Sequence, residues 1–168
     1  MSARVEMDVV LPHSPERVWR ALTDRQWLAE WLMPNDFEPR IGLRFRFRPP
    51  SGRGALAAPP IACQVVEVVP GERLAYSWRE RPDDLPDLVT WTLEPVEAGT
   101  RLRLEHCAPL TVTASAGPHA SLWCGAAIRL EGLLFGLVVM GRAIPAGCDV
   151  VRAVSVRRLD GERGAVIC

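Results

Sequence analysis

Hydrophobic and polar side chains alternate along the segment Thr100–His106, which reads TRLRLEH. Successive side chains of a β-strand point to opposite faces of the sheet, so Leu102, Leu104 and His106 share one face while the arginines share the other. Leucine side chains are driven out of water, and we therefore expect their face to be buried. The pattern predicts a strand in which a histidine lies in line with two core leucines.

Five further segments show the same alternation or a valine-rich strand composition. Short turns containing Pro, Gly or Asp separate most of them, which is typical of an antiparallel meander. The six predicted strands span residues 5–11, 43–48, 61–69, 73–79, 88–94 and 100–106. Their alternation places one set of aromatic side chains on the inward face, namely Phe45, Phe47, Tyr76, Trp78 and Trp91.

A helical period replaces the alternation in three segments. Ser14 as N-cap and Pro15 at the first helical position predict a short helix, and Asp24 begins a second one that Pro34 ends. From Ser121 to Arg142 the chain has no Pro and is apolar around much of its circumference. This segment predicts a long, mostly buried helix.

The length of 168 residues suits one domain with a substantial core. We assign residues 1–142 to that domain and residues 143–168 to a C-terminal extension. Within the extension, Cys148–Val156 predicts an extra strand and the remaining residues predict a polar turn and tail.

Charge and composition exclude several kinds of partner. Lys+Arg and Asp+Glu each number 20, and the pI is near 6.8, so we expect no binding of nucleic acid. All the basic residues are Arg, which excludes lysine Schiff-base chemistry. The densest apolar run, Gly132–Met140, is far shorter than the roughly 20 residues of a membrane span. The N-terminal residues lack the apolar stretch of a secretory signal, and we expect a cytoplasmic protein.

Cysteine and histidine spacing indicates neither a disulfide scaffold nor a metal site. The five Cys residues are odd in number and include no CxxC pair. His13, His106 and His119 lack the helical i, i+4 spacing of metal ligands. We therefore expect no metal and no cofactor.

Several motifs resemble one known superfamily. They are SPERVWRALTDRQWLAEWLMPNDFEPRIGLRFRFR, LAYSW, VTWTLEP and GTRLRLEH. The chain is similar to the SRPBCC superfamily and, within it, to the family of the C-terminal domain of the heat-shock-protein-90 ATPase activator. The resemblance is close from Val5 to His106. It implies an α+β helix-grip fold, with two short helices after strand 1 and an antiparallel sheet of six to seven strands curved around a long C-terminal helix.

The resemblance also implies an apolar cavity between sheet and helix. Its predicted lining residues are Phe45, Phe47, Tyr76, Trp78, Trp91, Leu104 and His106. Within such a cavity His106 is a polar anchor for a ligand. The interpretation that we favour instead is that His106 hydrogen-bonds a backbone carbonyl at the end of its strand.

Catalytic residues are not indicated by any sequence motif. Under an enzyme hypothesis His106 is the first candidate acid or base, and Tyr76 is the second. No G-x-S-x-G motif is present. Three nearby carboxylates are assigned to a solvated loop: Asp83, Asp84 and Asp87.

Three functions follow from the resemblance. The preferred hypothesis is a small, non-catalytic or weakly catalytic protein whose cavity binds an apolar or amphipathic small molecule. The first alternative is a co-chaperone-like module that binds a chaperone partner. The second is an enzyme similar to the cyclases and aromatases that share this fold. An exposed apolar stretch of the closing helix would in addition favour a homodimer.

Overall fold

A computed structural model describes residues 3–50, 58–108, 117–134, 154–158 and 163–166. Within these residues it contains eight strands and three helices. In chain order the elements are β1 (Ala3–Leu11), α1 (Pro15–Thr23), α2 (Arg25–Trp31), β2 (Arg44–Phe47), β3 (Ile61–Val69), β4 (Arg73–Arg79), β5 (Asp87–Val96), β6 (Gly99–Cys107), α3 (Gly117–Leu134), β7 (Val154–Arg158) and β8 (Arg163–Val166).

All eight strands form one antiparallel sheet in the order β2-β3-β4-β5-β6-β1-β7-β8. The six predicted strands are confirmed as β1 to β6, and the α+β helix-grip architecture is confirmed with them. The predicted extra strand at 148–156 overlaps β7, although residues 148–153 lie outside the described residues. Strand β8 was not predicted, because the polar residues around Arg163–Val166 are typical of a turn and tail.

The two short helices begin where their capping residues predict. The Ser14 side chain accepts a hydrogen bond from the Arg17 backbone N–H at 3.4 Å, at the start of α1. The Asp24 carboxylate accepts from the backbone N–H groups of Gln26 and Trp27 at 2.9 and 3.1 Å, at the start of α2. These bonds satisfy N–H groups that have no partner within the helix.

Arginine side chains connect α3 to the two short helices. Arg129 Nε donates to the Trp31 carbonyl of α2 at 2.8 Å, and Arg17 Nη2 of α1 donates to the Leu134 carbonyl at 2.8 Å. Helix α3 begins at Gly117 rather than at the predicted Ser121. Residues 135–142 of the predicted helix lie outside the described residues.

The outer edge of β2 is covered by the chain segment before it. Arg46 N–H donates to Asp36 Oδ1 at 2.6 Å, and Arg48 N–H donates to the Pro34 carbonyl at 2.9 Å. A β-bridge between Asn35 and Phe47 lies beside these bonds. The backbone donors at this edge are therefore occupied and do not offer a template for a further strand.

Three other expectations concern α3 and the C-terminal part of the chain. Among the described residues, no helix combines the length and apolar character that crossing a membrane requires. Cys124 of α3 is disulfide-bonded, and this bond was not predicted from the sequence. Sequence spacing does not report which cysteines become neighbours in space. The predicted domain boundary at residue 142 lies outside the described residues and stays a prediction.

Candidate ligand-binding site

The structure brings the seven predicted cavity residues to the inward face of the sheet. Each is at most 2% exposed, and together they are Phe45, Phe47, Tyr76, Trp78, Trp91, Leu104 and His106. Strand register explains this, because Trp91 pairs with both Leu74 and Leu104, and Val89 pairs with both Tyr76 and His106. Whether these residues line a cavity that holds a ligand stays a prediction.

Aromatic rings from strands and helices form one contact network. Trp123 of α3 lies 5.5 Å from both Trp78 and Trp91, measured between ring centroids. Phe47 lies 5.5 Å from Trp78, and Trp31 of α2 lies 5.8 Å from Trp91. Edge-to-face and tilted contacts at such distances are favourable beyond simple burial. We call the rings of Trp31, Phe45, Phe47, Tyr76, Trp78, Trp91 and Trp123 the aromatic cluster.

Tyr76 places a hydroxyl group inside the aromatic cluster. Its oxygen accepts a hydrogen bond from Trp91 Nε1 at 3.0 Å. Burial raises the pKa of Tyr76 far above its ordinary value, although the Trp91 bond acts in the opposite direction. The hydroxyl is thus a neutral donor at physiological pH and is poorly suited to act as a general base.

His106 has a defined tautomer because of its two side-chain partners. Its Nδ1 accepts a hydrogen bond from Trp123 Nε1 at 2.9 Å, and its Nε2 lies 2.8 Å from Asp87 Oδ2. An indole N–H only donates, so Nδ1 must present a lone pair. The hydrogen of the neutral imidazole is therefore on Nε2, where it is donated to the Asp87 carboxylate.

This geometry corrects two interpretations of the sequence. The partners of His106 described here are side chains, and not the backbone carbonyl that we favoured. Asp87 does not belong to a solvated loop, because it begins β5 and its side chain is only 15% exposed. Since both imidazole nitrogens are occupied, His106 takes a proton from a ligand only if one of these bonds breaks. The arrangement favours a positioning role for His106 over acid–base chemistry.

Glu131 is a buried carboxyl on α3 that the sequence did not single out. The residue is 7% exposed, and its Oε1 has no hydrogen-bond partner among the described residues. Burial raises the pKa of this carboxyl above its ordinary value. An unsatisfied acceptor at this depth has the capacity to bind a hydrogen-bond donor from outside the protein.

Sequence signals existed for two of the three residues that the prediction missed. Extending the alternation of DLVTWTL to its first residue places Asp87 on the face of Val89 and Trp91. Trp123 shares a helical face with Leu130 at i+7, which predicts that it points inward. No such pattern identifies Glu131, because a charged residue on a helix is usually solvated.

Comparisons with known proteins place the chain among relatives. The family described as activator of Hsp90 ATPase homolog 1-like protein matches residues 12–131. Protein MLL2253 from Mesorhizobium loti is 34% identical, with a TM-score of 0.67, and the match covers 81% of this chain and 99% of that protein. Protein CV1439 from Chromobacterium violaceum is 26% identical, with a TM-score of 0.61 and coverage of 78% and 96%. The comparison with curated proteins gives no match.

A more distant likeness involves a protein of a biosynthetic locus. DynU16, from the dynemicin biosynthetic locus, is 23% identical with a TM-score of 0.67. The match covers 79% of this chain and 48% of DynU16. At this identity the likeness concerns the fold alone.

Proposed function

Because the chain belongs to the activator of Hsp90 ATPase homolog 1-like family, we propose that it binds an apolar or amphipathic small molecule between the inward face of the sheet and α3. The observation that carries the proposal is the composition of this region. Buried aromatic rings contact the Tyr76 hydroxyl and the His106 imidazole, and small-molecule sites combine apolar walls with a few convergent polar groups.

The polar groups favour an amphipathic ligand. Tyr76 retains a hydroxyl hydrogen after accepting the Trp91 bond, and Glu131 Oε1 offers an acceptor that no described residue uses. A ligand with an apolar body and one hydrogen-bonding group would match this set. Its apolar body would contact the aromatic cluster.

The other hypotheses have less support from the described residues. An enzyme of the cyclase or aromatase kind needs a group that is ready to move a proton. His106 has both nitrogens occupied, and Tyr76 has a strongly raised pKa. A co-chaperone role rests on the family description and on no contact described here. Cytoplasmic location is part of our proposal as well.

Native mass spectrometry combined with a fluorescent probe tests the proposal. We expect the gently purified protein to carry an extra mass that denaturation removes, and to bind Nile red at one saturable site. Leu130→Phe adds volume on the buried side of α3 and should abolish both signals. The matched control, Ile128→Phe, adds volume at a position that is 37% exposed and should leave them unchanged.

Circular dichroism of both variants establishes that they are folded before the binding results are compared. The proposal would be contradicted if the unmodified protein carried no extra mass and showed no saturable binding of Nile red. Equal binding by the folded Leu130→Phe variant would contradict the assigned location.

A further inference from the structure

A groove of about 510 Å³ lies on the outer face of the sheet, on the side opposite the aromatic cluster. It lies over β2, β3 and β4. Seven outward-facing residues line it, namely Asp36, Arg44, Arg46, Ala62, Gln64, Ser77 and Arg79. The buried residues Phe45 and Cys63 complete its lining between them. We call it the arginine groove. Its volume is within the range of roughly 300–1,000 Å³ that is typical of small-molecule sites.

Strand register places one arginine on each side of a small residue. Ala62 of β3 pairs with Arg46 of β2 and with Arg79 of β4. Neighbouring strands lie about 4.8 Å apart, so the two arginine backbones are about 10 Å apart. The Ala62 methyl group leaves the space between them open. Two long guanidinium side chains can therefore contact one guest above Ala62.

The arginines of this groove lack the carboxylate partners that other arginines on the same face have. Arg101 and Arg103 contact Asp8 at 3.0 and 3.2 Å. Among the described residues, no carboxylate or other side chain pairs with the groove arginines, which are Arg44, Arg46 and Arg79. Like charges facing each other across strands are unfavourable, and the groove thus holds uncompensated positive charge.

The remaining polar groups of the groove are compatible with an anion. Its one carboxylate, on Asp36, is already engaged by Arg48 at 3.4 Å and by the Arg46 backbone N–H. Ser77 Oγ accepts a hydrogen bond from the Gln64 backbone N–H at 3.0 Å, which leaves its own hydrogen for a ligand. The groove therefore presents mainly donors and positive charge.

We propose that the arginine groove binds a small molecule through a diphosphate group. Guanidinium groups form bidentate hydrogen bonds with phosphate oxygens, and two phosphates supply enough charge to balance the three arginines. Arg46 and Arg79 would hold the anion from opposite sides, with Arg44 beside Arg46 and Ser77 donating from β4. The groove and the proposed apolar site share Phe45 of β2, but the three arginines lie on the outward face of the sheet and the other rings of the aromatic cluster lie on the inward face.

Isothermal titration calorimetry with inorganic pyrophosphate at low ionic strength tests the assignment. We expect saturable binding of one pyrophosphate per chain, which weakens as salt is added. Arg46→Gln and Arg79→Gln should each weaken binding about tenfold, which is the loss expected for one charge-assisted hydrogen bond. Arg103→Gln is the matched control, because it removes the same charge from the same face of the sheet at a position outside the groove. It should change the affinity for pyrophosphate less than twofold, which corresponds to about 0.4 kcal/mol.

Backbone amide chemical shifts give a second, independent measurement. Pyrophosphate should shift the amide signals of Ala62 and Ser77 and leave that of Leu104 unchanged. Absence of saturable binding would overturn the proposal. The proposal would also be overturned if all three variants bound pyrophosphate as tightly as the unmodified protein, or if all three lost the same affinity. Pyrophosphate binding to the arginine groove does not depend on Nile red binding at the apolar site. Failure of one proposal is therefore distinguishable from failure of the other.

Discussion

The variant Trp123→Phe tests whether the indole N–H that reaches His106 stabilises the fold. It retains an aromatic ring but removes the donor to Nδ1, which stays buried on a residue only 1% exposed. Leaving a buried acceptor without a partner costs roughly 1–3 kcal/mol. The smaller ring buries less apolar area, which costs about 1 kcal/mol more. We expect the free energy of unfolding to fall by about 2–4 kcal/mol in total.

Trp78→Phe supplies the matched control within the same cluster. Trp78 is also almost fully buried, but its Nε1 donates at 3.2 Å to the carboxylate of Glu80, an exposed residue that water can solvate after the substitution. This variant should therefore show only the cost of the smaller ring, about 1 kcal/mol. Urea unfolding measures both variants, and an unchanged m-value justifies comparing their free energies. Equal destabilisation of the two variants would refute the assigned role of the His106 bond.

Two buried titratable groups yield further predictions. Tyr76 is the one tyrosine in the chain, so tyrosinate absorbance reports on it alone. Its pKa is raised from the ordinary value of 10.0, so the folded protein should show no tyrosinate at pH values where free tyrosine ionises. The free energy of unfolding should therefore fall as pH rises above 10.0. A tyrosinate signal from folded protein near pH 10.0 would contradict this. The pKa of Glu131 in the folded state is raised above the ordinary value of 4.5, so the folded state keeps this proton to a higher pH than the unfolded state does. The free energy of unfolding therefore falls as pH rises through and above 4.5. Glu131→Gln does not lose this proton, so its free energy of unfolding should increase relative to that of the unmodified protein as pH rises above 4.5. Urea unfolding at several pH values measures the difference. The effect would be excluded if the two proteins showed parallel dependences of the free energy of unfolding on pH.

The faces of the strands and the starts of the short helices could be predicted because local chemistry determines them. Burial on one side of a sheet enforces a period of two, which assigned Phe45, Tyr76 and Leu104 to the inward face. The side chains of Ser14 and Asp24 accept bonds from backbone N–H groups only two or three residues later. Such short-range effects are visible in the sequence alone.

Partners that are distant along the chain could not be predicted in the same way. Asp87 and His106 are 19 residues apart, and Trp123 is 17 residues beyond His106. Their contact depends on the register between β5 and β6 and on where α3 crosses the sheet. Alternation assigns a face to each residue but does not identify the residue opposite it. The arginine groove was missed for the same reason, since Ala62 becomes its floor only through pairing with two strands.

The position of β1 inside the sheet has a consequence for how the protein is made. Strand β1 is synthesised before both of the strands that it pairs with. It pairs with β6, where Val5 lies opposite His106, and it lies between β6 and β7 in the finished sheet. Both edges of β1 thus remain unpaired on the ribosome until about a hundred residues have followed. The Arg17 bond to Leu134 forms later still. Folding is therefore dominated by long-range contacts, and the aromatic rings of the sheet stay exposed until α3 has been synthesised.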